Sequence, residues 1–257
     1  MPDTYQPDAP RLPSPQSPPS CADGLVQLCR DDPGVDRLIA PRREAILALL
    51  NQYIAEIELV NPALGLVGTN DRQALIVRHV LDSLAPLAVF LRCAQGQLLC
   101  ADVGSGAGLP GIPLAIAMPH VEFTLIERMS RRVHFLRNVC AALGLANVAV
   151  EEAEMEKAQP GRFGLVTFRA FKPLEPKIFK KLFRLCSGGA ANGAATGAAT
   201  GAIAAYKGRR EKIEAEVAAL ETVFQRGGFE WQILPCPVPF LDEQRHILYI
   251  HKPQNSI

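Results

Sequence analysis

A chain of 257 residues, 48% hydrophobic and 21% charged, is long enough for one substantial α/β domain with an extra element or two. Its net charge of +1 excludes a globally basic field as the means of holding nucleic acid, so any such contact must come from local patches. Cys21, Cys29, Cys93, Cys100, Cys140, Cys186 and Cys236 form no C-x-x-C pair, which argues against a zinc site or disulfide framework and for a reducing cytoplasm.

The chain shows no long apolar run and no signal-peptide pattern, so no membrane partner is expected. Residues 1 to about 20 are rich in Pro, Ser, Asp and Gln and read as a disordered tail, which the division into domains carries to 35. Helices in 36–95 then pack on the core. Over 37–57, Leu38, Ile39, Ile46, Leu49, Leu50, Tyr53, Ile54 and Ile57 approximate a helical stripe with Pro41 near its start. A second helix is predicted from Asp71, its N-cap, to about Leu91, kinked or split at Pro86.

From 96 to 257 apolar runs alternate with helical patterns, the signature of βαβ units and a parallel sheet. Strands are predicted over 98–103, 122–126, 148–151, 164–168 and 202–206, and helices over 109–118, 130–143, 173–185 and 209–225, with Gly144 closing the helix over 130–143. Strands near 230–234 and 246–251 have only a Pro-rich turn between them and should pair antiparallel. The run 187–201, SGGAANGAATGAATG, reads as a flexible loop.

The stretch LLCADVGSGAGLPGIP, 98–113, runs from a strand through a carboxylate into a glycine-rich turn and a helix start. Glycines 104, 106 and 108 can take positive φ and leave no Cβ in the way of a ligand. Two readings stay open. Gly106, Gly108 and Gly111 match the dinucleotide fingerprint, with Glu127 where a ribose-binding acid is expected. Asp102, Gly104, Gly106 and Gly108 match the acid-x-G-x-G-x-G loop of class I methyltransferases, whose S-adenosylmethionine is cationic at sulfur and amine and would suit a carboxylate at Asp102. Seven strands ending in an antiparallel hairpin favour the second reading.

The segments DVGSGAGLPGIPLAIAMP, FTLIERMSRRVHFLRNV, LGLANV and FRAFKPL resemble the bacterial small-subunit ribosomal RNA guanine-N7 methyltransferases, the glucose-inhibited division protein B family. IVRHVLDSL (76–84), AYKG (205–208) and LDEQRHILYIHK (241–252) extend the likeness from about 45 to 252. The resemblance implies a Rossmann-like class I fold: a seven-stranded, mostly parallel sheet with an antiparallel last strand, plus an N-terminal helical extension. It implies methyl transfer from S-adenosylmethionine to N7 of a specific guanine in 16S rRNA, free or in the small ribosomal subunit, by a cytoplasmic monomer without a metal. Other outcomes are a methyltransferase for another RNA or a small molecule, or a non-catalytic RNA-binding protein that keeps the fold.

By the same resemblance Gly104, Gly106 and Leu109 contact the cofactor, and Glu127 takes the ribose hydroxyls. The Ala153 amide and the Glu154 side chain meet the adenine, and Arg169 lies near both cofactor and substrate. No proton-transfer residue is assigned, because guanine N7 carries a free lone pair. Two positions depart from the family pattern: Gly164 follows Phe163 where an acid is usual, and Phe168 replaces a small residue, which would narrow the substrate side. RNA contacts are expected from three basic groups: Arg128, Arg131, Arg132 and Arg137; Lys172, Lys177, Lys180, Lys181 and Arg184; and Lys207, Arg209, Arg210 and Lys212.

Overall fold

Residues 18–93, 99–169, 174–186, 201–224 and 228–251 are described by a computed structural model. Ser20 opens α1 (Cys21–Asp31): its hydroxyl accepts from the Asp23 amide, and the Asp23 carboxylate accepts from the Ser20 amide. Cys21, Leu25, Leu28 and Cys29 fall on one buried face of that helix. Asp32 caps α2 (Pro33–Ile39) by accepting from the Gly34 and Val35 amides. The expected tail to 35 is thus corrected, because a capped, amphipathic helix pair occupies 21–39; residues 1–17 lie outside the described residues.

Pro41 sits in a 3-10 turn, Ala40–Arg42, and divides the helix predicted over 37–57 into α2 and α3 (Arg43–Leu64). Asp71 caps α4 (Arg72–Leu75) through the Ala74 amide, as predicted. The helix runs on as a π-helical stretch, Ile76–Leu81, and α5 (Asp82–Leu84), and Pro86 separates these from α6 (Leu87–Cys93). By length and composition Arg72–Cys93 is a long apolar run, contrary to the sequence reading; 67% of its apolar window is buried inside the fold, as befits a core helix.

The sheet contains β1 (Leu99–Val103), β2 (Glu122–Glu127), β3 (Val148–Glu152), β4 (Leu165–Arg169), β5 (Ala202–Lys207), β6 (Glu230–Pro235) and β7 (His246–His251) in the order β3-β2-β1-β4-β5-β7-β6. Pairing is parallel from β3 through β5; β7 inserts antiparallel between β5 and β6, with Lys207 and Pro235 both opposite His246. The crossovers carry α7 (Gly111–Ala117), α8 (Ser130–Ala142), α9 (Pro176–Leu185) and α10 (Arg210–Val223). Cys100, Leu125, Leu165 and Ala204 pack with the N-terminal helices, α7 and α8, while Ala101, Val103, Val166 and Ile203 pack with α9 and α10. Covered on both faces, the central strands read as continuous apolar runs, which is why their positions were predictable.

Helix starts are where expectation and structure part. The predicted start at 109 moves to Gly111, because 107–110 are turn, and the predicted start at 173 moves to Pro176. Gly144, at φ +63°, follows α8 as predicted. Of the predicted loop over 187–201, residues 187–200 lie outside the described residues, as do 94–98, 170–173, 225–227 and 252–257.

Candidate active site

The strand order reverses between β1 and β4, and in open α/β sheets a ligand crevice forms beyond the carboxyl ends of the strands at such a point. A cleft of about 480 Å³ lies there, lined by Gly104 after β1, Glu127 to Met129 after β2, Arg132 on α8, Ala153 to Glu156 after β3, and Ile178 on α9. Its apolar walls are Val103, Ile126, Met129, Met155 and Ile178.

Glu127 is only 4% exposed. One carboxylate oxygen accepts from the Arg128 and Met129 amides, both at 2.9 Å, and the other accepts from the Gly106 amide at 3.0 Å. A carboxylate offers about four acceptor sites, so one remains for a ligand hydroxyl. Gly106 reaches the carboxylate with φ +58°, a conformation that side chains with a Cβ rarely adopt. Ser105 donates its hydroxyl to the Asp102 carbonyl at 2.8 Å, which tightens the turn from within.

Asp102 does not line the cleft. It is fully buried, and its carboxylate accepts from the Gly111 amide at 3.0 Å, bracing the first turn of α7. Burial pushes its carboxyl up to about 7, with the Gly111 hydrogen bond opposing. A Cβ on Gly111 would come within 2.8 Å of the carboxylate and 2.4 Å of Leu125, so only glycine lets the helix sit this close. The sequence reading, which offered this acid to a cationic ligand, is corrected: the carboxylate supports the loop from beneath.

The cleft brings together Gly104, Glu127, Ala153 and Glu154, with Gly106 joined to it through Glu127. The Ala153 amide already donates to the Glu127 carbonyl at 3.1 Å, so it is occupied rather than offered to a ligand. Leu109 is buried in the core under the loop and is not part of the lining. Arg169 also lies elsewhere. Its guanidinium donates to Asp82 at 2.8 Å, to the Arg78 carbonyl at 3.1 Å and to His79 Nδ1 at 3.1 Å. Phe168 does not narrow the substrate side; it is buried in the core formed with α9 and α10. Gly164 carries ladder bonds to Leu99 and Ala202.

Asp82 is the hub that sequence reasoning missed. Its other oxygen accepts from Arg245 at 3.0 Å, and Arg245 and Arg78 both pair with Glu243. Arg78, His79 and Asp82 from IVRHVLDSL, Arg169 at the end of β4, and Glu243 and Arg245 from LDEQRH thus meet at one edge of the sheet. His79 accepts from Arg169; burial and that guanidinium push its pKa down to about 4, so it is neutral near pH 7. Three guanidiniums against two carboxylates leave the cluster with one net positive charge.

A sheet of this order with β7 alone reversed, a glycine loop after β1 and an acid at the end of β2 define a Rossmann-like class I methyltransferase. A family profile described as "rRNA small subunit methyltransferase G" matches residues 46–247, and the chain belongs to that family. The Ribosomal RNA small subunit methyltransferase G of Treponema pallidum (strain Nichols) is 38% identical over 214 residues, 81% of this chain and 86% of that protein. Its namesake from Stenotrophomonas maltophilia is 33% identical over 221 residues, 86% of this chain and 90% of that protein. Among solved structures, a methyltransferase from Pyrococcus furiosus superposes with a TM-score of 0.52 at 13% identity, covering 80% of this chain and 98% of that one.

Proposed function

We propose that the protein transfers a methyl group from S-adenosylmethionine to N7 of a guanine in 16S ribosomal RNA, in the cytoplasm and as a monomer. The observation that carries the cofactor is Glu127, a buried carboxylate held by three backbone amides with one acceptor site left at the floor of the cleft. That site suits a ribose hydroxyl, Gly104 lets a ligand approach the loop backbone, and the apolar walls suit a purine. Family membership supports the RNA, and seven free cysteines suit a reducing compartment.

S-adenosylmethionine supplies a methyl group activated for displacement at the sulfonium. Guanine N7 presents an unprotonated lone pair at neutral pH, so the protein need not remove a proton before attack. The chain's task is positioning and electrostatics. Glu127 and the glycine loop fix the ribose end. Arg169, locked by Asp82 and only 14% exposed, forms a rigid positive edge at the carboxyl end of β4. We assign Arg169 as a positioning residue for the RNA side and leave the cofactor to the cleft.

The test is transfer of labelled methyl groups to small-subunit RNA and particles from cells lacking this protein. Recovery of label as 7-methylguanosine at one site supports the reading. Label in another RNA or in a small molecule, or S-adenosylhomocysteine binding with no transfer to ribosomal substrates, overturns it.

A further inference from the structure

Between β6 and β7 the chain passes through Cys236–Arg245 at the same edge of the sheet as the carboxyl ends of β4 and β5, since His246 stands opposite Lys207. The loop is anchored from both sides. Cys236 and Val238 are buried, Leu241 is packed against the core, and the Cys236 amide donates to the Arg245 carbonyl at 2.8 Å. Arg245 is held by Asp82 and Glu243 by Arg78, so the loop is pinned to the Arg169 cluster.

Phe240 stands out from this anchored frame. It is 47% exposed, and its φ of +64° makes it the one non-glycine residue in the left-handed region among the described residues. Phe240 is third in the turn closed by the Leu241 amide on the Val238 carbonyl, where a side chain with a Cβ carries backbone strain, and it leaves about half of its apolar surface in water. The edge it stands on stays positive: the cluster carries a net charge of one, and Arg209, exposed just after β5 with no carboxylate partner among the described residues, offsets the exposed Asp242 of the same loop.

We propose that Phe240 is a stacking platform for an unpaired base of the RNA substrate, next to the edge where Arg169 is held. This rests on the reading of the protein as an RNA methyltransferase. A rigid, exposed aromatic ring beside guanidiniums is what single-stranded RNA recognition uses, because every base offers a face to stack and a phosphate to neutralise. A lone exposed ring in a pinned loop presents that face with little ordering cost on binding.

The experiment measures equilibrium binding of a naked 16S rRNA transcript, and of small-subunit particles, to the full chain. Variants are Phe240→Ala, Phe240→Trp and Phe240→Gly, with calorimetric S-adenosylhomocysteine binding as the control for an intact cleft. Phe240→Ala is expected to weaken affinity for the naked transcript by about 5- to 150-fold, with Phe240→Trp near the wild type. Phe240→Gly is expected to weaken RNA binding likewise while raising Tm by about 2–4 °C, since it releases the strain. A purely structural Phe240 would lower Tm and leave RNA affinity alone, which would overturn the proposal. So would a loss confined to particles, the mark of a ribosomal-protein contact. Failure of methyl transfer by a wild-type chain that binds RNA through Phe240 would overturn the proposed reaction and leave the stacking role standing.

Discussion

Glu127 commits three of its acceptor sites to the protein, which makes it the keystone of the loop and leaves one site for the proposed ribose hydroxyl. Glu127→Gln replaces one accepting oxygen by a donor that faces backbone amides. Charge-assisted hydrogen bonds contribute about 1.5–3 kcal/mol, so S-adenosylhomocysteine affinity should fall about 10- to 100-fold by calorimetry. An unchanged Kd would place the ribose elsewhere. Asp102 gives a separate signal, in pH. Its folded-state pKa of about 7 lies above the carboxylate's ordinary value, so the folded chain binds the extra proton. Its contribution to stability is therefore present below about pH 4 and is lost as pH rises through 7. Asp102→Asn removes that dependence: the Tm of the variant minus that of the wild type should grow from pH 5 to pH 8. A difference that stays flat would mean Asp102 is ionised throughout. His79 acts in the opposite sense, as its lowered pKa makes stability fall when pH drops from about 6.5 towards 4.

At the scale of elements, Asp82 joins α5 to β4 and to the β6–β7 loop, with partners 87 and 163 residues away in sequence. Asp82→Ala would strand two mostly buried guanidiniums, and removing one member of a buried ionic pair costs about 3–5 kcal/mol. Urea unfolding should show a loss near the lower figure, since Arg245 keeps Glu243. The basic groups also separate by element. On α10 and its approach, Lys207 pairs with Glu216 and Arg210 with Glu214, and on α9 Lys181 pairs with Glu156. The α8 group, Arg128, Arg131, Arg132 and Arg137, has no carboxylate partner among the described residues. Changing Arg131 and Arg137 to Gln should therefore reduce the slope of log affinity for RNA against log salt by about 1.4 to 1.8, if both meet phosphates. The same pair of changes at Lys207 and Arg210 should alter it less.

For the molecule as a whole, the sheet was legible because β1, β2, β4 and β5 are buried on both faces, and the reversal of β7 because nothing but a Pro-rich turn precedes it. The first two helices were missed, although the first had left a signal in the sequence. Ser20 with Asp23 three residues on, then Cys21, Leu25 and Leu28, is a cap followed by an apolar stripe, obscured by the Pro-rich composition before it. Of the site, Gly104 and Glu127 could be read from local pattern, since strand ends and glycine turns are local. The use of Asp102 as a brace and of Arg169 as a partner for Asp82 could not, because side-chain direction and contacts over 87 residues are decided only by the packed fold. The place of β7 has one more consequence, in the order of synthesis. β5 leaves the ribosome about forty residues before the strand that covers its outer edge, and β6 before the strand that joins it to the sheet. Until residues 246–251 emerge, the nascent sheet ends in an open parallel edge, an invitation to mispairing. A chain that works on ribosomal RNA thus cannot close its own sheet until translation has passed His251.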